Sequence, residues 1–173
     1  WGSVSVFAGV VGVTGAQNGA LGIGKFNSPI RLSMDRADNL YVADRDNARI
    51  RKVTPAGVIS TIAGTTAGAG STQFNWPIDV AVSADGTKVY VADSKNHRIQ
   101  KITLSGGTWT TSLLAGETTA GYVNGTGSGA RFNFPSGVAL DNAGDLIVAD
   151  RMNNCVRKVS AAGVVTLLAG VPQ

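Results

Sequence analysis

The chain has 173 residues, 43% of them hydrophobic, with 23 glycines and a formal charge of +4. That length suits one domain able to bury a real core, and no run nears the roughly 18 apolar residues of a membrane helix. A lone cysteine, Cys155, excludes an intramolecular disulfide framework, and no basic stretch followed by an apolar run marks a secretory signal.

Taken in chain order, the segment 3–9 is a short apolar piece ending Phe7-Ala-Gly9. Pro29 then begins an alternating run to Asp35, and a polar turn, Asp35-Arg-Ala-Asp-Asn39, leads into Leu40-Tyr-Val-Ala-Asp44. A second turn ends near Asn47; Arg49 to Val53 follows, then Pro55-Ala-Gly57, and Val58 to Gly64 closes the unit. The same order recurs twice. Segments 40–53, 89–102 and 146–159 align, placing Asp44, Asp93 and Asp150 at one position and Asn47, Asn96 and Asn153 at another. Pro29, Pro77 and Pro135 match upstream; Val58 to Gly64, Trp109 to Gly116 and Val164 to Gly170 match downstream. The repeats run over about 26–64, 74–116 and 132–170, and residues 3–9 copy the closing piece alone, as an extra outer strand. Recurrence at so many fixed positions is the dominant signal.

Each unit reads as four strands, a to d, of 5 to 7 residues, rich in Val, Ile and Leu and punctuated by Gly, Asp, Asn and Pro. No window carries a helical period, so the class is all-β. Short connections make each unit an antiparallel meander with apolar residues on both faces. Stacking such units radially hides both faces, which predicts a β-propeller; a two-sheet sandwich would not demand so regular a recurrence.

Asp93-Ser-Lys-Asn-His-Arg-Ile-Gln-Lys101 resembles the signature of the NHL repeat family, with Asn96 and His97 at the motif's first two letters. Pro77 to Val82, Val89 to Ala92 and the closing Leu-Ala-Gly resemble it too, so the likeness covers residues 3 to 170. Ala48 and Asn154 depart from the histidine; Ile50, Ile99 and Val156 depart from the leucine. The resemblance implies propellers that usually have six blades. Three units are then half of a six-bladed ring, either a piece of a longer propeller or one of two copies that close it as a homodimer.

The recurring Asp residues precede turns, where a short acceptor can bond free backbone N–H groups. The recurring Asn residues suit the turn's end, where positive φ is tolerated. Arg49, Arg98, Lys52, Lys101 and Lys158 lie on strand c, with stems able to cover apolar surface while the heads stay wet. Arg31 and Asp79, at the start of strand a, are expected at the central channel, facing a ligand or pairing with each other. The loops from d to a, 10–25, 65–73 and 117–131, differ most and share a face with the b–c turns. Loops on a rigid scaffold carry specificity, so Lys25, Arg45, Lys95, Tyr122, Arg131 and Arg151 are the candidate ligand-binding residues. Trp76, beside Pro77, is expected to pack in the core. Asn124-Gly-Thr126 is a glycosylation sequon in one of these loops.

Catalysis has little to build on. Propeller lyases with several His ligands need more than the single His97, and calcium-dependent lactonases use a channel Glu, whereas the only glutamate, Glu117, lies in a loop. A Ser-His-Asp triad would have to use His97, whose repeat position falls in a turn; no histidine stands by Cys155 to activate it. The expectation is a non-enzymatic scaffold with no cofactor and no metal, binding a protein or glycan. Single-stranded RNA on a basic face is the alternative, weakened by Tyr122 being the one aromatic among the loop candidates. A hydrolase or lyase with a metal in the channel ranks last.

Overall fold

The computed structural model describes residues 2–172. Strands β1 (Pro29–Met34), β2 (Leu40–Asp44), β3 (Arg49–Val53) and β4 (Ile59–Ala63) form the first four-stranded sheet, in sequence order. The second holds β5 (Pro77–Val82), β6 (Lys88–Asp93), β7 (Arg98–Ser105) and β8 (Thr108–Gly116). A two-residue strand, β9 (Gly125–Thr126), precedes the third: β10 (Pro135–Leu140), β11 (Leu146–Asp150), β12 (Cys155–Val159) and β13 (Val164–Gly170). All pairings between these strands are antiparallel, and β9 adds itself to the outer edge of β13. The four-strand expectation holds in each unit. Among the described residues no helix is long and apolar enough to cross a membrane.

The innermost strand β5 packs between β1 and β10, so the sheets stand as consecutive blades about one axis. Alternation along each strand sends one set of side chains to each neighbouring blade. Tyr41, Ala43, Ile50 and Ile62 of the first blade meet Val80, Val82, Val89 and Val91 of the second. Tyr90, Ala92, Ile99 and Leu114 of the second meet Val138, Leu146 and Val148 of the third. Phe74 and Phe132, from the loops entering β5 and β10, complete these two layers and are fully buried. Burial at about 25 cal/mol per Å² of apolar surface is what holds blade to blade.

The b–c connections are single 3-10 turns at Arg45–Asn47, Ser94–Asn96 and Arg151–Asn153. Positive φ falls one residue later than expected, at Ala48, His97 and Asn154. The asparagines keep negative φ because their side chains are committed to the preceding aspartate, which leaves the reversal to the next residue.

Residues 2–9 join no strand ladder among the described residues. They nonetheless occupy the place an outer strand would take. Ala8 packs with Val42, Val53, Ile59 and Phe26, and Gly9 lies over the Phe26 ring as Gly64 lies over Phe74 and Gly116 over Phe132. The Phe7 carbonyl sits against Gly57 just as the Leu114 carbonyl sits against Gly163.

Candidate binding face

The b–c turns are fastened to the d–a loops by one network repeated three times. The carboxylates of Asp44, Asp93 and Asp150 are fully buried. Each accepts a 2.7 Å hydrogen bond from the backbone N–H of Asn27, Asn75 or Asn133 at the end of the loop. Each also accepts one from the side-chain amide of Asn47, Asn96 or Asn153 at 2.8 Å. That amide donates its other hydrogen to the carbonyl of Gly15, Gly68 or Gly121. The structural role expected for both residue sets is what these contacts describe, and the shared face of turns and loops follows from them.

An arginine completes each network. Arg51 donates to Asp44 at 2.7 Å and Arg157 to Asp150 at 3.0 Å, both wholly buried. Arg51 also donates to the carbonyls of Lys25 and Gln17 and to the side chain of Asn18. Arg157 does the same with Arg131, Val123 and Asn124, and its guanidinium stacks on Tyr122, 4.4 Å from the ring centre. In the second blade Gln100 stands at this position. Arg98, two residues earlier, takes Asp93 at 2.8 Å and the carbonyls of Ala69, Gly70 and Gln73. The wet-headed reading of the strand-c arginines therefore fails at Arg98, and it overlooked Arg51 and Arg157. A signal was present: Gly15-Ala-Gln-Asn-Gly19 and Gly121-Tyr-Val-Asn-Gly125 match, each followed at equal spacing by Phe26-Asn27 or Phe132-Asn133. Those two loops are repeats as well; only 65–73 is shorter.

The residues before the three inner-strand prolines, Ser28, Trp76 and Phe134, all hold left-handed φ near 53°, a conformation that aims the side chain onto the loop face. Trp76 is not core. It is 37% exposed, with Lys95 Nζ 3.6 Å and Arg45 Cζ 5.1 Å from its ring centre. It sits at the seam of the first two blades, because Arg45 and Lys95 belong to their respective turns. Arg45 pairs with Asp46, whose carboxyl it holds below the usual range, and Asp46 also accepts from the Ser28 hydroxyl at 2.7 Å. At the next seam Arg151 Cζ lies 5.6 Å from the Phe134 ring centre. There His97 Nδ1 accepts the Phe134 N–H at 3.1 Å, and burial lowers the imidazole's pKa. Arg131 pairs with Glu117.

Toward the axis, Asp79 Oδ1 accepts the N–H of Val80 and Oδ2 that of Val138, both at 2.9 Å. Burial raises its pKa, opposed by those donors and by Arg31 nearby. Among the described residues Arg31 and Asp79 make no ion pair; the carboxylate instead ties β5 to β10. Cys155 is buried at the start of β12, and burial pushes its thiol up.

Radial four-stranded blades around a common axis, with turns and loops anchored together on one face, define a β-propeller. Its repeat is identifiable: the NHL repeat model matches residues 26–53, 74–102 and 132–159. The chain belongs to the NHL repeat family. No curated protein matches the chain. Among solved structures it is similar to an auxiliary nutrient binding protein from Bacteroides ovatus, with 20% identity and a TM-score of 0.69 over 85% of this chain and 37% of that one. A second such protein, from Bacteroides thetaiotaomicron, gives 17% and 0.67 over 86% and 37%. Virginiamycin B lyase from Staphylococcus aureus gives 16% and 0.56 over 82% and 41%. The chain thus spans under half the length of each, and at these identities the likeness is one of fold.

Proposed function

We propose that the chain is a non-enzymatic binding module whose face of b–c turns and d–a loops receives a protein or glycan partner, with self-association as a further part of the reading. The observation that carries it is Trp76, a large aromatic held out of the core by a left-handed backbone and flanked by Arg45 and Lys95. An aromatic ring between two blade turns offers broad contact area at little entropic cost, and Trp and Arg dominate interface energetics. Lys25, Arg131 and Arg151 extend this face, and Tyr122 braces it from beneath through Arg157. The nutrient-binding names of two fold relatives agree with a binding role. Against catalysis stand the engaged groups: His97 Nδ1 holds a backbone N–H and Glu117 is paired with Arg131.

A second reading, single-stranded RNA, gains from Trp76 and Phe134 both lying beside cations, since bases stack on such aromatics. Isothermal titration calorimetry with polygalacturonate oligosaccharide, neutral maltohexaose and a twelve-residue oligouridylate tests the face. Saturable binding of either sugar, lost in Trp76→Ala, supports the glycan form. Oligouridylate binding that weakens steeply with salt favours RNA. Binding of any probe that survives both Trp76→Ala and Lys95→Ala overturns this face as the site.

A further inference from the structure

The two end blades each present a face that is interior elsewhere in the chain. On the first blade Leu32 is 59% exposed, while its counterparts Val80 and Val138 are 2% and 9% exposed against the preceding blade. Met34 is exposed in the same way. On the third blade Leu168 is 52% exposed, while Ile62 and Leu114 are 8% and 6% exposed against the following blade. Ala149 is exposed where Ala43 and Ala92 are fully buried. The face of β1 is thus the half of a blade interface that receives, and the face of β11 to β13 is the half that is received. Both halves already meet twice within this chain.

We propose that these two faces bind each other between two copies of the chain, head to tail, closing a ring of six blades. The interface is continuous with the two internal ones and uses the same positions. A head-to-tail contact either closes or grows into a filament. Propellers hold about 4–8 blades, so two copies of three blades close and three copies do not. Residues 7–9 occupy the seat that Leu168 to Gly170 of the second copy must take, against Gly57 and Phe26. Because residues 2–9 have no strand hydrogen bonds, whereas β13 is paired along β12, the leading segment yields and the closing strand replaces it.

Light scattering across a concentration range, with circular dichroism to confirm folding, tests this without any ligand. The native chain is expected at twice its monomer mass. Leu32→Arg and Leu168→Arg, both at exposed positions, are each expected at monomer mass. An equimolar mixture of the two variants is expected to form an open dimer, because one of its two interfaces carries both arginines and the other carries none. Hydrogen exchange should leave residues 3–9 unprotected in the native dimer. A native chain that stays monomeric at all concentrations, a mixture that stays monomeric, or a ladder of larger species overturns the closure. Protection of residues 3–9 in the dimer overturns their displacement.

Discussion

Arg98 donates through Nε to Asp93 at 2.8 Å, whereas in the flanking blades the equivalent carboxylate is reached from two residues further along, by Arg51 and Arg157 through Nη1. The charge partner has moved along strand c without the ion pair being lost. The move accompanies the short loop 65–73, whose carbonyls at Ala69, Gly70 and Gln73 lie within reach of position 98. One consequence concerns stability. Removing one member of a buried, hydrogen-bonded ion pair leaves the other uncompensated, at a cost of about 3–5 kcal/mol. Asp150→Ala should cost that much in urea unfolding, while Asp46→Ala, whose ion pair is exposed, should cost under about 1 kcal/mol.

Arg157→Lys should also be costly despite keeping the charge. The planar guanidinium serves Asp150, Asn124 and two carbonyls and stacks on Tyr122, and an ammonium cannot reproduce that fork. Tyr122→Ala should lose about 1 kcal/mol through the stack alone. Denaturant midpoints of the two variants check both, with Arg157→Lys expected to be the lower.

Two glycines in the blade turns separate backbone strain from crowding. Gly144 and Gly163 share left-handed φ of 84° and 80°, but a Cβ at 144 meets open space while one at 163 falls 2.4 Å from the Leu114 carbonyl. Gly144→Ala should cost about 1–2 kcal/mol for the conformation, and Gly163→Ala clearly more. Equal losses in thermal unfolding would refute the close approach of the blades there.

Acid should loosen the seam between the second and third blades. His97 is neutral in the fold because burial lowers its pKa, partly opposed by the charges of Asp150 and Asp93. Its folded value lies below the unfolded one near 6.5. The contribution is present above the unfolded value and is lost as pH falls from there through the folded value. Unfolding temperature should therefore drop between pH 7.5 and 5.5, and His97→Gln should flatten that slope. Burial raises Asp93 and Asp79; their stabilisation is fully present only below the unfolded carboxylate range and is lost as pH rises through their folded values. They act with the opposite sign, over a window that opens in the unfolded carboxylate range.

The strands, their order and the roles of Asp44, Asp93 and Asp150 were legible because periodicity and punctuation repeat three times. The arginine network was not, because alternation along strand c must be anchored before one can tell that Arg51 points inward and Lys52 does not. Gln100 at the equivalent place hid the position further. Trp76 misled for a related reason: an aromatic beside proline reads as core unless its left-handed backbone is known, and sequence marks that conformation clearly only at glycine or asparagine. Phe74, two residues earlier, fills the core place expected of Trp76.

Arg51 and Arg157 grip their loops mainly through carbonyl oxygens, at Gln17 and Lys25 in one and Val123 and Arg131 in the other. Every amino acid supplies that oxygen. At those four positions the grip is therefore blind to what the loop displays, and they can be rewritten while Asn18 and Asn124, which are held by their side chains, are kept. Such an arrangement invites grafting: new recognition surfaces can be installed on the same frame, much as hypervariable loops are installed on an antibody sandwich.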